Sequence, residues 1–190
     1  MKKMMKKWIV LCLTLALAVT SLAACSGNSS EQGENSSAQE EQVKQPELSE
    51  IAEAVKEKYG EDYLPSMPLE ADMLKEIYGV NMDDVEEFVA EAPMMSAHVD
   101  TFIAMKAKEG KGEEIEAQLQ KYLDYVVENS VNYPMNVAKV QAGQVVRHGD
   151  YVFYVMLGKY DDRLDVSEED SVKFAKEQVQ IGLDTIASFF

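Results

Sequence analysis

The N-terminal segment of the chain limits how many residues remain to build a fold. Four lysines among the first seven residues precede an apolar run over residues 8–19, and Leu22-Ala23-Ala24-Cys25 follows. A basic start, a short apolar run and small residues before a cleavage point are the parts of an export signal. The run is shorter than the roughly 20 apolar residues of a membrane-spanning helix. We therefore expect residues 1–24 to be a signal peptide that is removed from the mature chain.

The cysteine directly after Leu-Ala-Ala indicates a particular kind of export signal. This order is typical of bacterial lipoproteins, in which the cysteine is acylated and becomes the first residue of the mature chain. We therefore expect Cys25 to be the lipid attachment residue and the membrane to be a partner through that lipid. The predicted location is the extracytoplasmic face of the cell membrane, with an uncleaved anchor as the alternative.

Charge and cysteine content narrow the possible partners and cofactors. The chain has 18 Lys and Arg against 34 Asp and Glu, and losing four lysines with the signal leaves 14 against 34, a net charge of −20. Such a chain is poorly suited to neutralise phosphates, so no nucleic-acid partner is expected. Cys12 leaves with the signal and Cys25 is used by the lipid, so the folded part has no disulfide or thiolate metal site. We expect no cofactor and no metal.

Composition divides the mature chain into a tether and one domain. Residues 25–47 comprise the lipidated cysteine and an acidic segment rich in Gly, Asn, Ser, Gln and Glu, which cannot bury enough apolar area to become ordered. Residues 48–190 show the mixture of apolar and polar residues of a folded protein. Their number suits a single domain.

Helical periodicity appears in four places. Apolar residues recur with helical spacing from Leu48 to a stop at Gly60, and a second short helix ends at Gly79. A long helix is predicted over residues 111–129, and a final helix is opened by Ser167 with Asp170 as its capping partner. Residues 81–90 favour one or two turns of helix, with a strand from Glu87 as the alternative.

Strand patterns appear in the second half of the chain. Residues 94–106 alternate with a period of two and predict a strand with one buried face. Residues 137–146 and 151–157 form a predicted hairpin with Gly149 in its turn. The predicted fold class is α+β. A small antiparallel-containing sheet (β-α-β-β) packs with N-terminal and C-terminal helices on one face, giving two layers.

Several short motifs resemble one family of bacterial lipoproteins. They are Tyr78-Gly79-Val80, Asp83-Asp84-Val85-Glu86, Pro93-Met94-Met95, Ala97-His98-Val99-Asp100, the strand that follows over residues 102–106, and Asp150-Tyr151-Val152 in the hairpin. The chain is similar over residues 48–158 to lipoproteins that carry domain of unknown function 4358. The resemblance implies no assigned activity and no catalytic residues. It also implies a lipoprotein of a Gram-positive cell with a single membrane.

One set of polar residues raises the question of catalysis. Ser96, His98 and Asp100 alternate on one face of the predicted strand, and their types suit a nucleophile, a base and an orienting acid. Neighbours on one face of a strand lie about 7 Å apart, which is too far for that chemistry. A polar strand face beside a loop is the simpler interpretation, and no catalytic residue is assigned.

These observations favour a membrane-anchored extracytoplasmic lipoprotein whose activity is to contact another component of the envelope, and not an enzyme. Exposed methionines among Met67, Met73, Met82, Met94 and Met95 would make an adaptable contact surface, although a core role is more usual. The alternative is a small-ligand-binding accessory lipoprotein, which a concave pocket between helices and sheet would favour. An envelope hydrolase that uses Ser96 or a carboxylate pair is a third interpretation.

Overall fold

The computed structural model describes residues 45–190. Cys25, the expected signal over residues 1–24 and most of the expected tether lie outside these residues. The described chain forms five helices and five strands, in the order α1 (Leu48–Tyr59), β1 (Met67–Pro68), α2 (Ala71–Glu76), β2 (Val85–Ala92), β3 (Thr101–Ala107), α3 (Gly112–Asn129), α4 (Pro134–Ala142), β4 (Gln144–His148), β5 (Tyr151–Met156) and α5 (Glu168–Ala187). None of these helices is long and apolar enough to cross a membrane.

The strands form one open sheet in the order β1-β2-β3-β5-β4, and every neighbouring pair is antiparallel. Two central strands, β3 and β5, are almost wholly buried. The mixed fold class and the antiparallel sheet with packed helices are therefore confirmed. The sheet has five strands where three were expected.

The helices cover both faces of the sheet, so the expected arrangement in two layers is corrected to three. Alternate residues of β3 enter different cores: Phe102 packs in a core with α1 and α5, whereas Ile103 packs in another core with α2 and α3. The expected single buried face of this strand is wrong for the same reason. Its continuous apolar run is the pattern of a strand that is covered on both sides.

Two edge regions differ from expectation because tertiary contacts override local preference. Residues 81–90 contain a short 3-10 turn and then β2, whose acidic residues are accommodated by cross-strand pairing, with Lys106 Nζ 3.1 Å from Glu86 Oε1. The expected strand over residues 137–146 is instead α4 followed by β4. Pro134 at the first position of α4 favours a helix start, and the helix ends at Gly143.

The two ends of the sheet carry different features. The turn end holds Gly149, whose φ of 61° suits the first position of a two-residue hairpin turn. Pro46 lies at this end because its carbonyl accepts a 2.9 Å hydrogen bond from the Tyr151 hydroxyl. The loop end lies opposite, about 20 Å away along β3, and comprises residues 93–100, 130–133 and 157–167.

Candidate functional site

A buried ion pair lies at the loop end of the sheet. Asp100, just before β3, is fully buried and pairs with the ammonium of Lys139 on α4, which is only 4% exposed. Burial lowers the pKa of Lys139, although attraction to Asp100 opposes the shift. The Lys139 ammonium also lies 3.7 Å from the centre of the Tyr160 ring, which adds a cation–π contact.

Tyr160 connects this pair to His98. The Tyr160 hydroxyl donates a 3.0 Å hydrogen bond to Asp100 Oδ2, and its oxygen lies 3.0 Å from His98 Nδ1. Because the hydroxyl proton is used by Asp100, the Tyr160 oxygen accepts from Nδ1–H of His98. Burial, together with the nearby Asp100 carboxylate, raises the pKa of Tyr160 and keeps it neutral. In the neutral form of the ring, His98 Nε2 is then left as an acceptor.

This network holds the loops of the loop end together. Asp100 and His98 belong to residues 93–100, Tyr160 belongs to residues 157–167, and Lys139 belongs to α4. Asn136 adds a further link, since its Nδ2 donates a 2.9 Å hydrogen bond to the Ala97 carbonyl. The buried Asn136 Oδ1 has no partner within residues 45–190. The network positions the surface loops on the sheet.

Ser96, His98 and Asp100 do not lie on a strand, because β3 begins at Thr101. The expectation of a polar strand face is therefore wrong. Asp100 is engaged by Lys139 and Tyr160, and His98 by Tyr160, while no hydrogen bond joins Ser96 to His98 in the described chain. The contacts of a nucleophile, base and orienting acid are thus not formed by these three residues. Nor do the described residues place three or more His, Cys, Asp or Glu side chains together as a metal site.

An apolar groove lies beside the network, between the sheet, α2 and α3. Its volume is about 460 Å³, which is within the range of ligand pockets. Apolar and aromatic side chains dominate its lining, including Leu69, Met73, Ile77, Tyr122, Val126 and Met156. No Asp, Glu, Lys or Arg lines it, and its polar groups are supplied by residues such as His98, Thr101 and Tyr154. This is a concave surface between helices and sheet.

The surface around the groove has exposed apolar side chains, and two of its segments carry no charge. Met94 is 77% exposed and Met95 is 60% exposed, so both side chains reach solvent. Residues 92–99 and 129–138 contain no charged side chain, in a chain of which 27% is charged. Large exposed apolar side chains at the loop end include Met94, Met95, Val131, Tyr133, Met135 and Leu164. We call this set the loop-end surface.

Sequence reasoning identified part of this site. It named His98, Asp100, Met94 and Met95, but it missed Lys139 and Tyr160, which lie 39 and 60 residues from Asp100 in the chain. Lys139 was assigned to a strand, where it could not be recognised as a buried partner. The absence of charge in two separate segments was a useful signal. Exposed apolar segments without charge are more typical of an interaction site than of a surface that contacts only water.

The fold and this site define a mixed helix and strand protein built on one open antiparallel sheet, with an uncharged groove at one end. Residues 58–157, more than half of the chain, match the family model described as Domain of unknown function (DUF4358), and the chain belongs to this family. The resemblance seen in the sequence is confirmed to that extent. The matched region contains all five strands and α2 to α4, and it ends before α5. No curated protein and no solved structure matches the chain.

Proposed function

We propose that this protein is a lipid-anchored, extracytoplasmic and non-enzymatic module of the bacterial cell envelope, which contacts a protein partner through its loop-end surface. The observation that carries the proposal is the position of Pro46. The chain enters the fold at the turn end, whereas the loop-end surface, with its exposed apolar side chains and two segments free of charge, lies at the opposite end. A fold anchored through its N-terminus would thus have its tether at the end opposite to this surface, which leaves the surface free for a partner.

The N-terminal sequence supports the anchor. Leu22-Ala23-Ala24 before Cys25 is the pattern of a lipoprotein cleavage site. The segment from Cys25 to the start of α1 would hold the domain on the order of 25 Å from the lipid if it behaves as a flexible coil. The acidic composition disfavours binding of the domain itself to an anionic lipid surface.

The character of the loop-end surface supports a protein partner. Contact surfaces between proteins are depleted of charge at their centre and enriched in methionine and aromatic side chains. Met94, Met95, Tyr133 and Met135 meet this description. His98 and Asp100 are used to position the loops, which favours a contact role over a chemical one.

Site-specific crosslinking in cells tests the proposal. A photoreactive amino acid replacing Met94 should give a crosslinked species with one dominant protein. The same amino acid at Lys176, an exposed residue of α5, is the matched control and should not. Mass spectrometry of the membrane-extracted chain should show diacylated Cys25 as its first residue. Equal crosslinking at both positions, or a mature chain that begins before Cys25, would contradict the proposal.

The groove supports a second candidate, an accessory lipoprotein that binds a small apolar ligand. A volume of about 460 Å³ with a mainly apolar lining is suitable for such a ligand. A rise in melting temperature with an apolar compound, together with no protein crosslink from Met94, would favour this candidate.

A further inference from the structure

One helix that flanks the groove carries an excess of negative charge. Residues 70–77 contain three acids and one lysine, so the net charge of this stretch is −2. None of these acids forms an ion pair within the described part of the chain, whose ion pairs lie elsewhere. On the other side, Asp124 and Glu128 lie two positions after the groove residues Tyr122 and Val126, respectively, so they lie on the opposite face of α3. The groove is thus an uncharged channel with one acidic border, at α2.

Inside the groove, two polar groups have opposite hydrogen-bonding character. Tyr154 is 2% exposed and lines the groove, and its hydroxyl is not one of the enclosed side-chain atoms without a partner, since within residues 45–190 only Asn136 Oδ1 is. Burial raises the pKa of Tyr154 well above its usual value, so the hydroxyl remains a donor. His98 also lines the groove, and in the neutral ring its Nε2 is an acceptor when Nδ1–H donates to Tyr160.

These groups distinguish a peptide from a purely apolar ligand. A peptide unit offers a carbonyl that can accept from Tyr154 and an N–H that can donate to His98. An alkyl chain that fills the groove would exclude water from both groups and offer them no partner, which costs free energy. Tyr78 and Tyr122, with ring centres 4.4 Å apart, add an aromatic wall suited to large apolar side chains.

We infer that the groove binds a short peptide segment of the protein partner, in which large apolar residues are flanked by Lys or Arg on the side that meets α2. The apolar side chains fill the groove, the backbone meets Tyr154 and His98, and the flanking cations face the acidic border at α2. This inference rests on the proposed function, since it names the chemistry of the partner at the same end of the fold.

Binding of two matched peptides tests the inference. Both contain the same central Leu-Phe-Ala-Leu sequence and a fluorophore, and they carry either three lysines or three glutamates at each end. The protein is the chain isolated from its cells in phosphatidylcholine nanodiscs, so that no detergent competes for the groove. At 0.05 M salt we expect the basic peptide to bind at least about tenfold more tightly than the acidic one. At 0.5 M salt the ratio should fall below about threefold, because screening shortens the reach of the border charges.

Single substitutions distinguish peptide binding in the groove from binding elsewhere on the surface. Ile77→Asn changes a 51% exposed side chain that lines the groove without altering charge, and it should weaken the basic peptide about tenfold or more. Leu164→Asn changes a more exposed side chain outside the groove and should alter binding less than about twofold. Tyr154→Phe removes only the hydroxyl and should weaken binding about threefold to tenfold with the melting temperature retained.

Three results would overturn the inference. They are equal affinity for the two peptides, insensitivity to Ile77→Asn, and binding of 1-decanol with no binding of either peptide. The last result would assign the groove to a small apolar ligand. The crosslink from Met94 is measured in parallel, so that the two failures are distinguishable. If peptide binding is absent but the crosslink is found, only the inference about the groove is contradicted. If the crosslink is absent, the proposed function is contradicted.

Discussion

Lys139 and Asp100 form an ion pair in which neither side chain is more than 4% exposed. Removing two charges from water is costly, and the pair is stable only because each charge has a partner. Tyr160 supplies a second hydrogen bond to the carboxylate and an aromatic face to the ammonium. The pair joins α4 to the start of β3, so it couples the loop end to the central sheet.

Asp100→Asn should destabilise the fold strongly, because it leaves the Lys139 ammonium buried without a counter-charge. The expected loss is about 3–5 kcal/mol of unfolding free energy, measured by urea denaturation. Lys139→Met should cost a similar amount for the converse reason. The double variant should lose clearly less than the sum of the two single losses. Additive losses would show that the two residues do not interact.

Stability should fall steeply above about pH 10. Burial raises the pKa of several tyrosines above the usual value near 10, among them Tyr59, Tyr63, Tyr78, Tyr154 and Tyr160. Above pH 10 the unfolded chain loses these protons while the folded chain retains them, so unfolding becomes more favourable as pH rises. Lys139 is a single group with a lowered pKa, and it has the opposite effect at pH values below its usual pKa near 10.5. Melting temperatures at pH 8, 9, 10 and 11 test this. A flat profile would contradict the burial of these hydroxyls.

Ile103→Ala should remove a fully buried side chain from the centre of β3. The expected cost is about 2–5 kcal/mol, from lost apolar burial and the cavity that remains. Ser96→Ala is the comparison variant, because Ser96 is exposed and should change stability by no more than about 0.5 kcal/mol. Thermal denaturation of both variants measures these changes in stability. A mild Ile103→Ala would mean that the α2 and α3 side of the sheet is not closely packed.

Ser167→Ala should weaken the start of α5. The Ser167 hydroxyl oxygen accepts a 3.1 Å hydrogen bond from the Asp170 backbone N–H, and its loss should cost about 1 kcal/mol. Ser167→Asp keeps an acceptor at this position and should retain most of the stability. If both variants melt alike, the cap contributes little.

Features that depend on neighbouring residues in the chain were predicted well. The periodicity of α1 and α3, the stop at Gly60, the capping pair of Ser167 and Asp170, and the hairpin turn at Gly149 are all found in the structure. Each is specified within a few residues, through the spacing of apolar side chains, one local hydrogen bond or one backbone conformation.

Features that depend on distant residues were predicted poorly. The acidic strand β2 has little intrinsic preference for a sheet and is formed by pairing with β3. Likewise, α4 contains valines that suit a strand, but its start at Pro134 and the burial of Lys139 against Asp100 favour a helix.

The sequence by itself determined the main helices and the family motifs, and it predicts an export signal with Cys25 as the lipid residue and no cysteine after it. Only the tertiary structure decided that helices cover both faces of the sheet and that His98, Tyr160, Asp100 and Lys139 form one network. It also placed the entry of the chain at Pro46 opposite the loop-end surface. The physical reason is the distance along the chain over which residues interact. A local pattern shows which side chains share a face, whereas the element that packs on that face is set by residues far away in the chain.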